Sequence, residues 1–159
     1  MAIVPQTFSP QHAMDTLGYI YQCTIHLRDT DAAGVIYFAN LLHLCHAAYE
    51  TCLAEQGLNW QQFLDQGDLA IPLVHGEMSC RQPIRWGDRL TIHLFPLAHP
   101  QKLGQFTVQY QLFNQGSTLV AAGSTKHIVI STGDRQRQPF PAILEKWLQN
   151  APKYPEPKT

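Results

Sequence analysis

Two carboxylates stand two residues apart in Arg28-Asp29-Thr30-Asp31-Ala32-Ala33-Gly34, just ahead of a long segment with helical apolar spacing. Attack on an acyl carbonyl needs a group that strikes the carbon or activates water, and a donor for the charge that builds on oxygen. A carboxylate on a glycine-containing loop supplies the first. The unpaired N–H groups of a helix start, with the dipole in the right sense, supply the second. The spacing therefore suits hydrolysis at an acyl carbonyl. It also suits an ordinary task, in which Asp29 or Asp31 caps the helix or closes an Asx turn. From the residues alone both readings stand.

A second pair lies farther on. His46 and Glu50 are four apart in the helical segment, so their side chains approach each other. Three readings are open for them: lining of an acyl pocket, an acid/base pair of the dehydratase kind, or a helix-flank pair facing solvent or another subunit. His43, His46 and Glu50 do not have a usual zinc-ligand spacing, and no metal is expected. The basic residues Arg81, Arg85, Arg89, Lys126, Arg135 and Arg137 fall at strand ends or in loops, where each is a solvated charge or a phosphate contact.

The elements that must position these groups follow from periodicity. Tyr19, Tyr21, Cys23, Ile25 and Leu27 alternate with polar neighbours, which predicts a half-buried strand over 19–27. From about Tyr37 to Gln56 the period becomes helical. Phe38, Leu41, Leu42, Cys45, Ala48, Tyr49, Cys52 and Leu53 make one stripe, and Gly57 supplies the stop. Trp60 to Gln66 suggests a short extra helix. Leu69 to Cys80 reads as one apolar, buried strand, with Pro72 marking a bulge or an edge. Leu90, Ile92 and Leu94 alternate, as do Phe106, Val108, Tyr110 and Leu112. Asn114-Gln115-Gly116 turns the latter into a strand over Thr118 to Ser131. A terminal helix is expected over Pro141 to Leu148. One long helix cannot bury its stripe alone, and a single sheet must cover one face. Wrapping about five antiparallel strands around the helix solves both problems, which is the α+β hotdog arrangement. The expected division is a flexible arm over 1–17, one domain over 18–150 and a flexible tail over 151–159.

Composition narrows the function. The chain has 159 residues and is 45% hydrophobic, enough for one core and too short for two ordinary domains. Lys+Arg 11 against Asp+Glu 12 leaves a net charge of -1, which argues against nucleic acid as a partner. No apolar run reaches membrane-spanning length, and Met1 to Met14 has neither the basic nor the apolar part of a signal peptide. Cys23, Cys45, Cys52 and Cys80 lack zinc-site spacing and read as reduced, buried core thiols, so a cytoplasmic setting is expected.

The segment from Asp29 to Asn40, Asp-Thr-Asp-Ala-Ala-Gly-Val-Ile-Tyr-Phe-Ala-Asn, resembles the active-site segment of the 4-hydroxybenzoyl-CoA thioesterase family. That pattern is roughly D-x-D-x-x-G-[VI]-[VI]-[YFW]-x-x-N, and the likeness extends from Tyr19 to about Leu148. The resemblance implies a hotdog fold and an acyl-CoA substrate. It makes Asp31 the catalytic carboxylate, as nucleophile or general base, and puts the oxyanion donor at the backbone N–H of Phe38. Within the family, Leu44-Cys45-His46-Ala47-Ala48-Tyr49-Glu50 and Leu69-Ala70-Ile71-Pro72-Leu73-Val74-His75 are similar to the 1,4-dihydroxy-2-naphthoyl-CoA hydrolases of phylloquinone (vitamin K1) synthesis. On that likeness Tyr37, His46 and Glu50 become acyl-pocket candidates, and Lys126, Arg85 and Arg89 become CoA-phosphate candidates. No cofactor is implied. A homo-oligomer is implied, a dimer or a dimer of dimers; sparse charge and sheet edges give a physical reason for it. The alternatives are a short-chain or broad thioesterase of the Tol-Pal-associated type, a hotdog dehydratase, and a non-catalytic acyl-CoA sensor.

Overall fold

The structure, a computed structural model, describes residues 18–155; the arm expected over 1–17 and the last four residues of the tail lie outside the described residues. The elements run β1 (Tyr19–Thr24), a 3-10 turn (Leu27–Asp29), α1 (Phe38–Glu55), α2 (Trp60–Gln66), β2 (Leu69–Ala70), β3 (Leu73–Cys80), β4 (Arg89–Ala98), β5 (Gln105–Phe113), β6 (Leu119–Ile128), β7 (Ile130–Ser131) and α3 (Ala142–Gln149). Five strands form one antiparallel sheet in the order β1-β4-β5-β6-β3, and β2 pairs separately with β7. The long helix packs on one face of the sheet, the arrangement expected of a hotdog fold.

α1 forms because an uninterrupted run without Pro or Gly presents Leu41, Leu44, Cys45, Ala48, Tyr49, Cys52 and Leu53 on one side, all buried. They meet the inward residues of β4 and β5: Leu90, Ile92, Leu94, Phe106, Val108, Tyr110 and Leu112. Two members of the expected stripe differ. Phe38 is turned out of the core, and Leu42 is packed over Gly76 of β3, where a Cβ would come within 3.0 Å of its side chain.

Three strand expectations need correction. β1 stops at Thr24 because Ile25 is drawn into the bonds Ile25 N–H to Asp88 carbonyl and Gly87 N–H to Ile25 carbonyl, both 2.9 Å, after which the chain turns. Leu27 is therefore solvent-exposed and not on the buried face. The segment 69–80 is not one buried strand. It breaks at Ile71-Pro72, where proline has no N–H to give a ladder, and β3 is a largely exposed edge. The strand expected over 118–131 likewise divides: the Val129 N–H leaves the ladder for the Gly104 carbonyl at 2.8 Å.

The cysteines also divide. Cys45 and Cys52 are buried, Cys23 is half-buried and Cys80 is exposed, so only the first two are core thiols. At the C-terminal end, Tyr154 packs edge-on against Phe95, and its hydroxyl accepts from the Gln111 amide at 3.2 Å. The chain after α3 thus meets the sheet face opposite α1, at least as far as Tyr154.

Candidate active site

The two carboxylates are engaged differently, and their hydrogen bonds separate them. Asp29 is engaged at both its side chain and its backbone. Its Oδ2 accepts the His26 N–H at 2.7 Å, closing the 3-10 turn. Its carbonyl accepts the Tyr37 N–H at 2.8 Å and the Asn40 side-chain amide at 3.0 Å. Asp29 therefore ties the loop to the helix start. Asn40, which the sequence pattern contained without a stated role, is the other half of that tie.

Asp31 sits on the loop so fixed. Its N–H donates to the Val35 carbonyl at 2.9 Å, and its carbonyl accepts the Gly34 N–H at 3.0 Å. Gly34 takes φ 76°, which favours glycine there. Asp31 Oδ1 accepts the Ala33 N–H at 2.8 Å, so the residue does close an Asx turn. Its Oδ2 has no partner among the described residues, and the side chain faces solvent. The turn role and a chemical role are compatible: one oxygen orients the group and the other is presented.

Tyr37 is the N-cap of α1 in extended conformation, and no side chain caps the helix. The first-turn N–H groups of Phe38 and Ala39 have no partner among the described residues, and no acidic residue occupies that turn. An oxygen acquiring negative charge is favoured at such a terminus. Tyr37 and Phe38, each 56% exposed, flank it. A bridge between Val35 and Arg85 and the bond from Ile36 N–H to the Ile84 carbonyl, 2.7 Å, set the Asp31 loop against the β3–β4 connection. Between them lies a cavity of about 270 Å³ lined by Val35, Ile36, Cys80, Arg81, Gln82, Pro83 and Ile84.

His46 and Glu50 do pair, Nε2 to Oε1 at 3.2 Å, with the side chains 40% and 55% exposed. The structure does not bring them to Asp31. Eight residues separate Phe38 from His46, about 12 Å of helix. The His46 ring lies against Tyr49 and His127, with centroids 5.5 and 6.4 Å away.

Behind His46 is a polar chain that the sequence reading missed. Tyr110 Oη and Thr125 Oγ1 are 3.0 Å apart, and Thr125 Oγ1 is 2.9 Å from His127 Nε2, all buried. His127 is stacked between Tyr49 and Phe106 at 4.5 and 5.0 Å. Burial, then the nearby His46, pushes its pKa down to about 4, so the ring is neutral at physiological pH. Among the described residues its Nδ1 and the Tyr49 hydroxyl have no hydrogen-bond partner. The available signal was Thr125 and His127 at alternate, inward positions of a strand whose other inward residues are small or apolar.

The phosphate candidates do not converge. Arg85 borders the Asp31 loop, and Arg89 opens β4 opposite Thr24. Lys126 lies in the row Leu97–Thr107–Lys126–His75, six β5 residues from the Phe113–Leu119 end of the ladder, about 20 Å away. Three of the four cysteines are held as thiols: burial pushes Cys45 and Cys52 up, Cys52 to about 12, and Cys23 rises to about 11 by burial and then the charge of Asp29. Among the described residues no cluster of side chains could hold a metal ion.

Comparison with known proteins shows the family of the chain. Residues 25–148 match the model of the thioesterase-like superfamily. A 1,4-dihydroxy-2-naphthoyl-CoA hydrolase of Picosynechococcus sp. is 46% identical, over 89% of this chain and 99% of the relative. The enzyme of the same description from Thermosynechococcus vestitus is 42% identical, over 83% and 89%. The crystal structure of a 1,4-dihydroxy-2-naphthoyl-CoA thioesterase from Synechocystis superposes with a TM-score of 0.77 at 32% identity, over 82% of this chain and 95% of that one.

Proposed function

Because the chain belongs to the thioesterase-like superfamily, we propose that it hydrolyses 1,4-dihydroxy-2-naphthoyl-CoA to the free acid and coenzyme A, a step of phylloquinone synthesis. The observation that carries the mechanism is the half-engaged carboxylate of Asp31 on the loop that leads into the uncapped start of α1. The thioester carbonyl oxygen lies on the Phe38 N–H, where the helix terminus favours the charge that forms during attack. Oδ2 of Asp31 attacks the carbonyl carbon or takes the proton of an attacking water. The tetrahedral centre then expels the coenzyme A thiolate, a good leaving group that needs no metal assistance. Direct attack would leave an anhydride between Asp31 and the acyl group, which water then opens.

The acyl ring runs from the helix start past Tyr37 toward His46, with Glu50 holding the imidazole from the next turn. The nucleotide phosphates call for cations, and Arg85, Arg89 and Lys126 are the candidates that the sequence offers. The active unit is a homo-oligomer, supported by the exposed β3 edge and the uncovered Tyr37 and Phe38. Its setting is the cytoplasm; no helix of the described residues is long and apolar enough to cross a membrane.

Thiol release from a panel of acyl-CoA esters tests the assignment. His46→Ala should lower kcat/KM on hydroxynaphthoyl-CoA about tenfold or more relative to benzoyl-CoA, because a hydroxyl left without its partner costs about 1–3 kcal/mol. Equal losses on all esters would remove His46 from substrate reading, and hydration of an enoyl-CoA by the wild type would favour a dehydratase.

A further inference from the structure

The sheet face turned away from α1 carries a group of cations that the acyl chemistry leaves unused. Thr125 and His127 are fully buried on the α1 side of β6, so the alternation of the strand sends Lys126 to the opposite face. There it is flanked by Thr107 of β5 and His75 of β3. His99, just past β4, sits with Nε2 2.7 Å from Thr107 Oγ1. The Lys102 N–H donates to the His99 carbonyl at 3.0 Å and Lys126 stands opposite Thr107, so both lysines are near the ring, whose proton affinity is lowered first by burial and then by their charges. Glu77, two residues along β3 on the same face, accepts from the Ser124 hydroxyl at 3.3 Å and lies 3.9 Å from His75. Among the described residues neither Lys102 nor Lys126 has an ion-pair partner.

Two lysines without ion-pair partners stand near one imidazole and one hydroxyl, and a phosphate ester offers acceptor oxygens for both ammonium groups and for whichever of His99 Nδ1 and Thr107 Oγ1 their shared hydrogen bond leaves free to donate. We infer that Lys102, Lys126, His99 and Thr107 form the binding site for the phosphate groups of the nucleotide end of the coenzyme A ester, in preference to Arg85 and Arg89. The inference rests on the thioesterase reading above and adds to it the place where the far end of the substrate is held. Length supports it. The arm from the thioester sulfur to the first phosphate has about a dozen bonds, each advancing roughly 1.3 Å, so it spans roughly 16 Å when extended, and the nucleotide adds several more. Lys126 is about 20 Å along the strands from the ladder end that borders the Asp31 loop, which suits an extended arm. Arg85 is bridged to Val35, whose carbonyl accepts from Asp31, and a phosphate there would require the arm to fold back on itself.

The test compares an acyl-CoA with the same acyl group on pantetheine, which lacks the nucleotide, using the full chain. Lys126→Ala and Lys102→Ala should each lower the ratio of kcat/KM for the two esters about tenfold, through KM of the CoA ester, whereas Lys146→Ala on α3 should leave the ratio unchanged. Titration calorimetry with adenosine 3′,5′-bisphosphate should show binding that both patch variants weaken. An unchanged ratio, or equal losses on both esters, would overturn the assignment. So would inorganic phosphate binding as tightly as the bisphosphate, which would indicate a site for the free anion. If the wild type hydrolysed no thioester, the functional reading would fail, and calorimetry alone would then decide the site: bisphosphate binding lost in Lys126→Ala supports it, and undiminished binding overturns it.

Discussion

On the mechanism proposed above, replacing Asp31 by Asn should separate chemistry from architecture, because one carboxylate oxygen closes a turn and the other has no partner among the described residues. Oδ1 accepts the Ala33 N–H at 2.8 Å, and Asn closes the same Asx turn with its own Oδ1. That bond fixes the side-chain orientation: turning the amide over would point its NH2 at the Ala33 N–H, donor against donor. The NH2 group therefore takes the place of Oδ2, where a lone pair is needed, and it can neither attack nor accept a proton. The side chain is exposed, so folding stability should change by no more than about 0.5 kcal/mol, while turnover should fall at least about 10²-fold. Asp29→Asn gives the contrast. It weakens the bond to His26 and the contact with Arg28, 3.9 Å away, and should cost up to about 1 kcal/mol of stability with a far smaller loss of turnover. Urea denaturation and a thiol-release assay on both variants give the two numbers. Asp31→Asn retaining more than a tenth of wild-type turnover would refute the mechanism, and so would an Asp29→Asn defect as large as that of Asp31→Asn.

Acid should weaken the fold through His127. Its folded pKa of about 4 lies below the ordinary 6.5, so the unfolded chain binds the extra proton, and stability is lost as pH falls from about 6.5 toward 4, by up to roughly 3 kcal/mol. In urea melts across that window, His127→Phe should show a shallower slope than wild type, and an unchanged slope would contradict the neutral buried ring. Sedimentation at micromolar concentration should show a dimer or larger species for the wild type, and a fully active monomer would remove the case for a site completed between subunits.

The elements carrying a strong period were legible in advance. The α1 stripe has no competing signal, and the alternation from Phe106 to Leu112 reports a strand with one buried face. The Asn59 cap, whose side chain accepts the Gln62 N–H at 2.9 Å, and the left-handed Gly67 bound α2 where the residues Trp60 to Gln66 suggest it. The segment 69–80 misled because hydrophobic content does not state which neighbour covers it. Val74 is apolar and still exposed, on the outermost strand of the sheet. Leu27 misled for another reason: alternation continues in the sequence after the hydrogen bonds of Ile25 have ended the strand.

The site was legible as a motif and not as a division of labour. Asp29 and Asp31 are chemically identical side chains two residues apart, and either residue type can cap, turn or react. What distinguishes them is which atoms are already engaged: His26 N–H is held by the Asp29 carboxylate, and Tyr37 N–H and the Asn40 amide by its carbonyl, while one oxygen of Asp31 is left over. Such occupancy depends on where the chain turns and on contacts eleven residues away, as between Asn40 and Asp29, and spacing alone does not encode it. The Asn40 tie also gives the motif its length. A carboxylate and a helix start can cooperate only if their separation is fixed, and Asn40, in the first turn of α1, reaches back to the loop to fix it. The pattern from Asp29 to Asn40 is thus a single mechanical unit, in which Asp29 and Asn40 hold the Asp31 loop against the start of α1.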